Sequence, residues 1–120
     1  MPRFVRNVFY YKHYYLEFFE AQTAEVQKKF NWTLQLIATM ERVPTKYFRH
    51  MEGTDGLYEI RVEVGGNIFR VFSFFDEGHV IIVANAFQKK TQKTPKGEIA
   101  QAEKIKKEYF HEQSKRIQEK

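Results

Sequence analysis

The sequence predicts an α+β domain, with N-terminal helices packed on one face of a mostly antiparallel sheet and a further helix at the C-terminal end. Three observations carry that expectation. Val26, Phe30, Leu34 and Ile37 recur every three or four residues, the spacing of one helical face. Three extended segments then follow in succession, separated by Gly65-Gly66 and by Asp76-Glu77-Gly78, both hairpin turns in composition and length. A last helical pattern opens after Thr94-Pro95. Helices followed by hairpin-linked strands bury their apolar sides by layering, which leaves the open face of the sheet as a natural cleft.

Taken in order, Phe4–Tyr11 is rich in aromatic and β-branched residues and reads as a first strand. Lys12–Glu20 reads as a short helix. Thr23 is an N-cap for the helix carrying the apolar face, and Pro44 stops that helix soon after Arg42. Residues 45–55 lack a period and read as a loop with at most a short extended piece. Leu57–Val64 alternates, with Tyr58, Ile60, Val62 and Val64 on one face and Leu57, Glu59, Arg61 and Glu63 on the other. Asn67–Phe75 is the next strand. His79–Phe87 contains the unbroken run Val80-Ile81-Ile82-Val83-Ala84, which marks a strand buried on both faces and central in its sheet. Thr94 caps the last helix and Pro95 suits its first turn. Its apolar stripe through Ile99, Ala102, Ile105 and Tyr109 is thin, which implies loose attachment or a face awaiting a partner. That helix is expected to end near Gln113, so residues 1–113 form one domain and residues 114–120 a frayed tail.

Composition narrows the function. The 120 residues contain twelve Phe and seven Tyr, enough for one core of few, large side chains. There is no cysteine, which removes disulfides, thiol nucleophiles and thiolate metal sites and suits a reducing cytoplasm. The start lacks the apolar run of a signal peptide and no segment could span a bilayer, so a cytoplasmic protein is expected. The net charge is +5. Residues 1–88 hold ten Lys/Arg and ten Asp/Glu, while residues 89–96 hold Lys89, Lys90, Lys93 and Lys96 and no acid. Nearly the whole excess therefore lies in one short segment, as a localised anion site or a solvated lysine loop.

The hairpin register bears on that choice. With a two-residue Gly65-Gly66 turn, Arg61 stands directly opposite Arg70, on the face of Glu59 and Glu63. Like charges so placed repel unless acids or a bound anion offset them. Two readings follow, a surface ion-pair ladder with the two glutamates or a phosphate clamp built on the planar guanidinium fork. The third strand returns beside Arg70 and runs into Phe87-Gln88-Lys89-Lys90, which brings the lysines to the arginine pair and favours the anion site. Other chemistry has little support. His13, His50, His79 and His111 are scattered without metal-ligand spacing, and Ser73 and Ser114 suggest no triad. The glycines form neither a P-loop nor a dinucleotide fingerprint. The aromatic segment from Phe9 to Tyr15 reads as core.

Four segments also resemble a known family. Leu57-Tyr58-Glu59-Ile60-Arg61-Val62, Phe69-Arg70-Val71-Phe72-Ser73-Phe74-Phe75, Ala86-Phe87-Gln88-Lys89-Lys90-Thr91-Gln92-Lys93-Thr94-Pro95 and Glu98-Ile99-Ala100-Gln101-Ala102 are similar, in order and spacing, to the HigB branch of RelE-type toxins. The resemblance implies a RelE-like fold and the toxin of a type II toxin–antitoxin pair. Such a toxin cleaves mRNA in the ribosomal A site, through attack of a ribose 2′-hydroxyl on the adjacent phosphorus, with no metal and no cofactor. By position Arg61 and Arg70 match the family's two strand arginines and Lys89 or Lys90 its post-strand lysine, so Arg61, Arg70, Lys89 and Lys90 are the expected catalytic groups; Phe87, Lys93, Lys96 and Tyr58 are the expected RNA-binding groups beside them. The resemblance implies as partners the ribosome, mRNA and a HigA-like helix-turn-helix antitoxin, and no membrane. Asn85 stands where many relatives have His, so general acid and base stay unassigned. A non-catalytic nucleic-acid-binding module and a ParE-like poison of DNA gyrase are the alternatives, since fold alone does not separate them.

Overall fold

A computed structural model describes residues 4–90 and 95–118. It is the expected α+β architecture, built on one five-stranded sheet between two helical layers. The elements are β1 (Asn7–Tyr10), α1 (Tyr14–Glu20), α2 (Ala24–Thr39), β2 (Phe48–His50), β3 (Leu57–Val64), β4 (Asn67–Phe75), β5 (Val80–Lys89) and α3 (Lys96–Gln118). Strand order is β1-β5-β4-β3-β2. All neighbours are antiparallel except β1, which lies parallel to β5 with Asn7 opposite Val80.

Local chemistry sets these boundaries. Thr23 caps α2 by accepting the Val26 N–H at 3.3 Å. Its last carbonyls, those of Ile37 and Met40, together with that of Glu41, are taken by the Arg6 guanidinium at 2.7–3.0 Å. The helix therefore ends at Thr39, before Arg42 and well before Pro44, on a cation supplied by the segment preceding β1. Gly65 and Gly66 both adopt positive φ, as a two-residue primed turn requires, and the β3–β4 register follows with Val64 facing Asn67. The apolar run in β5 is buried as expected, flanked by β1 and β4, although β4 is the middle strand. The helix α3 runs past Gln113 to Gln118, with Lys115 and Arg116 in its last turn complementing the helix dipole.

Each face of the sheet has its own core. Against α1 and α2 lie Ile60, Val62, Phe69, Val71, Ile81 and Val83, packed on Tyr15, Phe30, Leu34 and Ile37. On the other face Leu57, Phe72, Phe74, Ile82, Ala84 and Phe87 meet Ala102, Ile105 and Tyr109 of α3. The thin stripe of α3 is thus buried at Ala102, Ile105 and Tyr109 and partly buried at Ile99, and α3 covers the apolar part of that face where an open cleft was expected. In the segment from Phe9 to Tyr15, Tyr11, Tyr14 and Tyr15 serve the cores, but Phe9 and Tyr10 on the β1 edge remain exposed.

One irregularity positions the far end of β5. Val71 faces Ala86 while Ser73 faces Val83, so β5 carries one extra residue opposite Phe72. This bulge turns Phe87 and Lys89 onto the α3 side of the sheet, where Phe87 pairs with Arg70. Asn85, at the bulge, is buried, and its Nδ2 donates to the Glu98 carbonyl at 3.1 Å and to Glu98 Oε2 at 3.0 Å. The bulge is in this way tied to the first turn of α3.

Candidate anion-binding site

Arg61 and Arg70 are register partners on adjacent antiparallel strands, so their side chains leave the same face. Their environments differ sharply. The Arg70 side chain is only 6% exposed and its Nε lies 3.2 Å from Oε1 of Glu59, itself 3% exposed. The other oxygen, Oε2, lies 3.5 Å from Nη2 of Arg49, which pairs with Glu59 across β2 and β3. One buried carboxylate therefore holds two guanidinium groups. The Arg61 side chain is 41% exposed, and its one ion pair among the described residues is with the outer Glu63, at 3.7 Å. The acids do offset the like-charge pair, as the ion-pair ladder requires, but they do so unequally: Glu59 serves the buried arginine and leaves Arg61 open to solvent.

Surface shape reinforces this asymmetry. Two hollows flank Arg61, one of about 220 Å³ lined by Thr45, Lys46, Arg49, Glu59 and Arg61, the other of about 320 Å³ lined by Lys29, Lys46, Tyr47, Arg61 and Glu63. They meet at Lys46 and Arg61, where β2 stops and the edge of β3 is uncovered; beyond Ile60 the ladder continues only through Arg61 N–H donating to the Tyr47 carbonyl at 2.9 Å. Four cations against two carboxylates, with side-chain forks in reach of a shared space, suit a phosphodiester.

The other expected site residues are distributed more widely. Lys89 shares the face of Arg70, half-buried opposite Ile68, and Lys90 is exposed just past β5. Lys96 is exposed at the start of α3, and Lys93 lies outside the described residues, as does Thr94. Phe87 is a core ring in edge contact with Phe72 at 5.2 Å, which leaves little of it for stacking on a base. Tyr58 is on the opposite face of β3 from the arginines, stacked on Phe48 at 5.1 Å.

Sequence reasoning missed Lys46 and Arg49. Both belong to a stretch without a detectable period, and a three-residue strand supplies none; the available signal was the aromatic pair Tyr47-Phe48 embedded among basic residues. The tyrosines with displaced ionisation lie elsewhere. Burial, with Glu112 and Glu108 nearby, pushes Tyr11 up to about 12, and burial with a 2.5 Å hydrogen bond to Asp76 pushes Tyr109 up to about 12. Upward shifts make a phenol a poorer base at neutral pH, and both rings pack with α3 rather than beside Arg61. Among the described residues no cluster of three or more His, Asp or Glu is arranged to hold a metal ion, and no helix is long and apolar enough to cross a membrane.

Fold and site together define a small α+β protein whose sheet presents a carboxylate-backed cationic array at one edge. The chain belongs to the family of phage-derived proteins like Gp49 (DUF891), a toxin-like family whose model matches residues 17–107, from α1 to the middle of α3. No curated protein matches the chain significantly.

Proposed function

We propose that this chain is the toxin of a type II toxin–antitoxin pair and acts as a ribosome-dependent, metal-independent mRNA endoribonuclease of the HigB kind. The observation that carries the reading is the division of labour between the two arginines, one solvent-facing and one locked beneath it on Glu59. In the proposed reaction a ribose 2′-oxygen forms a bond to the adjacent phosphorus as the bond from phosphorus to the 5′-oxygen of the next nucleotide breaks. Negative charge grows on the non-bridging oxygens, and fixed cations stabilise that change more than they stabilise the bound substrate. Arg61, with Lys46 and Arg49, contacts the phosphate. Arg70 is a positioning residue that holds Glu59, and through it Arg49, in place. Lys89, Lys90 and Lys96 add positive charge for the RNA backbone, and a HigA-like helix-turn-helix antitoxin neutralises it. General acid and base are unassigned within the array; in this reading the ribosome completes the acid–base chemistry and aligns the attack.

The test is induced expression with mapping of new mRNA 5′ ends alongside an assay of double-strand DNA breaks. New ends within translated codons, with intact DNA, are the expected result. DNA breaks with intact mRNA would replace this reading by gyrase poisoning, and neither effect would leave a binding module.

A further inference from the structure

Trp32 is the chain's only tryptophan and is 47% exposed on the surface of α2. One turn earlier on the same helix, Lys29 places its Nζ 4.2 Å from the centre of the indole. Tyr47 meets the indole edge-on at 5.7 Å, and Lys46 Nζ lies 5.1 Å from the centre of the Tyr47 ring. Neither ring belongs to either core, and neither lysine has a carboxylate partner among the described residues. The pair is tied to the candidate site, because Tyr47 accepts the Arg61 N–H and shares with Arg61, Lys29 and Lys46 the lining of the larger hollow.

We propose that Trp32 and Tyr47, with Lys29 and Lys46, form a nucleobase-stacking subsite that takes one base of single-stranded RNA beside the phosphate held at Arg61. This rests on the ribonuclease reading above and adds to it where the neighbouring base goes. An exposed indole beside a half-buried phenol, flanked by ammonium groups without a carboxylate partner among the described residues, is the expected chemistry for unstacked RNA: the π-face accepts any base, and the cations meet the phosphates on either side. A ring pair that only propped the 40–47 segment against α2 would gain by burying the indole, and would not need a lysine over each ring. The Lys29 ammonium already marks the indole as an electron-rich platform; on binding it moves to a phosphate.

Because Trp32 is the sole tryptophan, its fluorescence reports the subsite directly. The experiment titrates the intact protein at low salt with a short 2′-O-methylated oligoribonucleotide, which cannot be cleaved by 2′-attack, following tryptophan emission and the anisotropy of a label on the oligonucleotide. Saturable quenching is expected, with affinity lowered about tenfold in Trp32→Ala and largely kept in Trp32→Phe. Binding that depends on Arg61 yet leaves the emission unchanged, with Trp32→Ala binding as well as the parent, overturns the subsite and leaves the ribonuclease reading standing. Absence of any binding by the parent protein also overturns the subsite, and the ribonuclease reading is then decided separately by the map of mRNA ends.

Discussion

Arg61 and Arg70 show how two identical side chains in register acquire different jobs. A guanidinium that is 6% exposed beside a 3% exposed carboxylate is part of the fold, because removing either partner leaves the other charge desolvated without its partner. A guanidinium that is 41% exposed can be removed at little structural cost. Arg61→Ala is therefore expected to reduce mRNA cleavage at least a hundredfold while changing unfolding free energy by less than about 0.5 kcal/mol. Arg70→Ala is expected to lose activity and also about 2–3 kcal/mol of stability, moderated because Arg49 still contacts Glu59. Urea unfolding followed by circular dichroism checks both, and equal destabilisation by the two variants would contradict the assignment. Their pairing was legible in the sequence because two glycines fix a turn length, and a turn length fixes a register. The inequality between them was not, since it depends on Arg70 lying in the middle strand and Arg61 beside the uncovered edge of β3, a strand order that no local pattern carries.

Among the elements, α3 is held by few residues that are each well placed. Ala102, Ile105 and Tyr109 fill its side of the core, Asn85 holds its first turn, and Lys12 pairs with Glu108 and Glu112 near its far half. The Tyr109 phenol is buried and bonded to Asp76, so the folded protein keeps that proton up to about pH 12, whereas an unfolded tyrosine releases it near 10. Tyr11 behaves alike. Between those values the unfolded state binds fewer protons, so this stabilisation is complete below about pH 10 and is lost as pH rises toward about 12. An alkaline titration followed by tyrosinate absorbance and far-ultraviolet circular dichroism should show unfolding in that window. Tyr109→Phe should shift its onset upward and cost about 1 kcal/mol at neutral pH through the lost hydrogen bond. The helices and the three consecutive strands were readable from periodicity and turn glycines. The parallel seat of β1 and the bulge in β5 were not, because each answers to a partner distant in sequence and neither alters the local pattern.

For the molecule as a whole, each face of the sheet carries an apolar core packed against helices, and the charged end around Arg61 is open. A chain stopped after Lys90 would present Leu57, Phe72, Phe74, Ile82 and Phe87 to water while retaining every strand. Such a fragment is expected to bind hydrophobic dyes strongly and to aggregate; a monodisperse, dye-silent fragment would show that α3 contributes little. Binding of RNA by the intact protein should also weaken steeply between low and physiological salt, as neutralisation of phosphates releases counterions. The parallel seat of β1 has a consequence for timing during synthesis. Asn7–Tyr10 is made early, but its partner Val80–Val83 emerges about seventy residues later, so the first strand to leave the ribosome is among the last to be placed. Its backbone bond from Asn7 N–H to the His79 carbonyl waits with it. A nascent chain therefore lacks the finished scaffold until nearly the whole sheet has been translated, and the proposed ribosome-dependent activity would arise only late in the message.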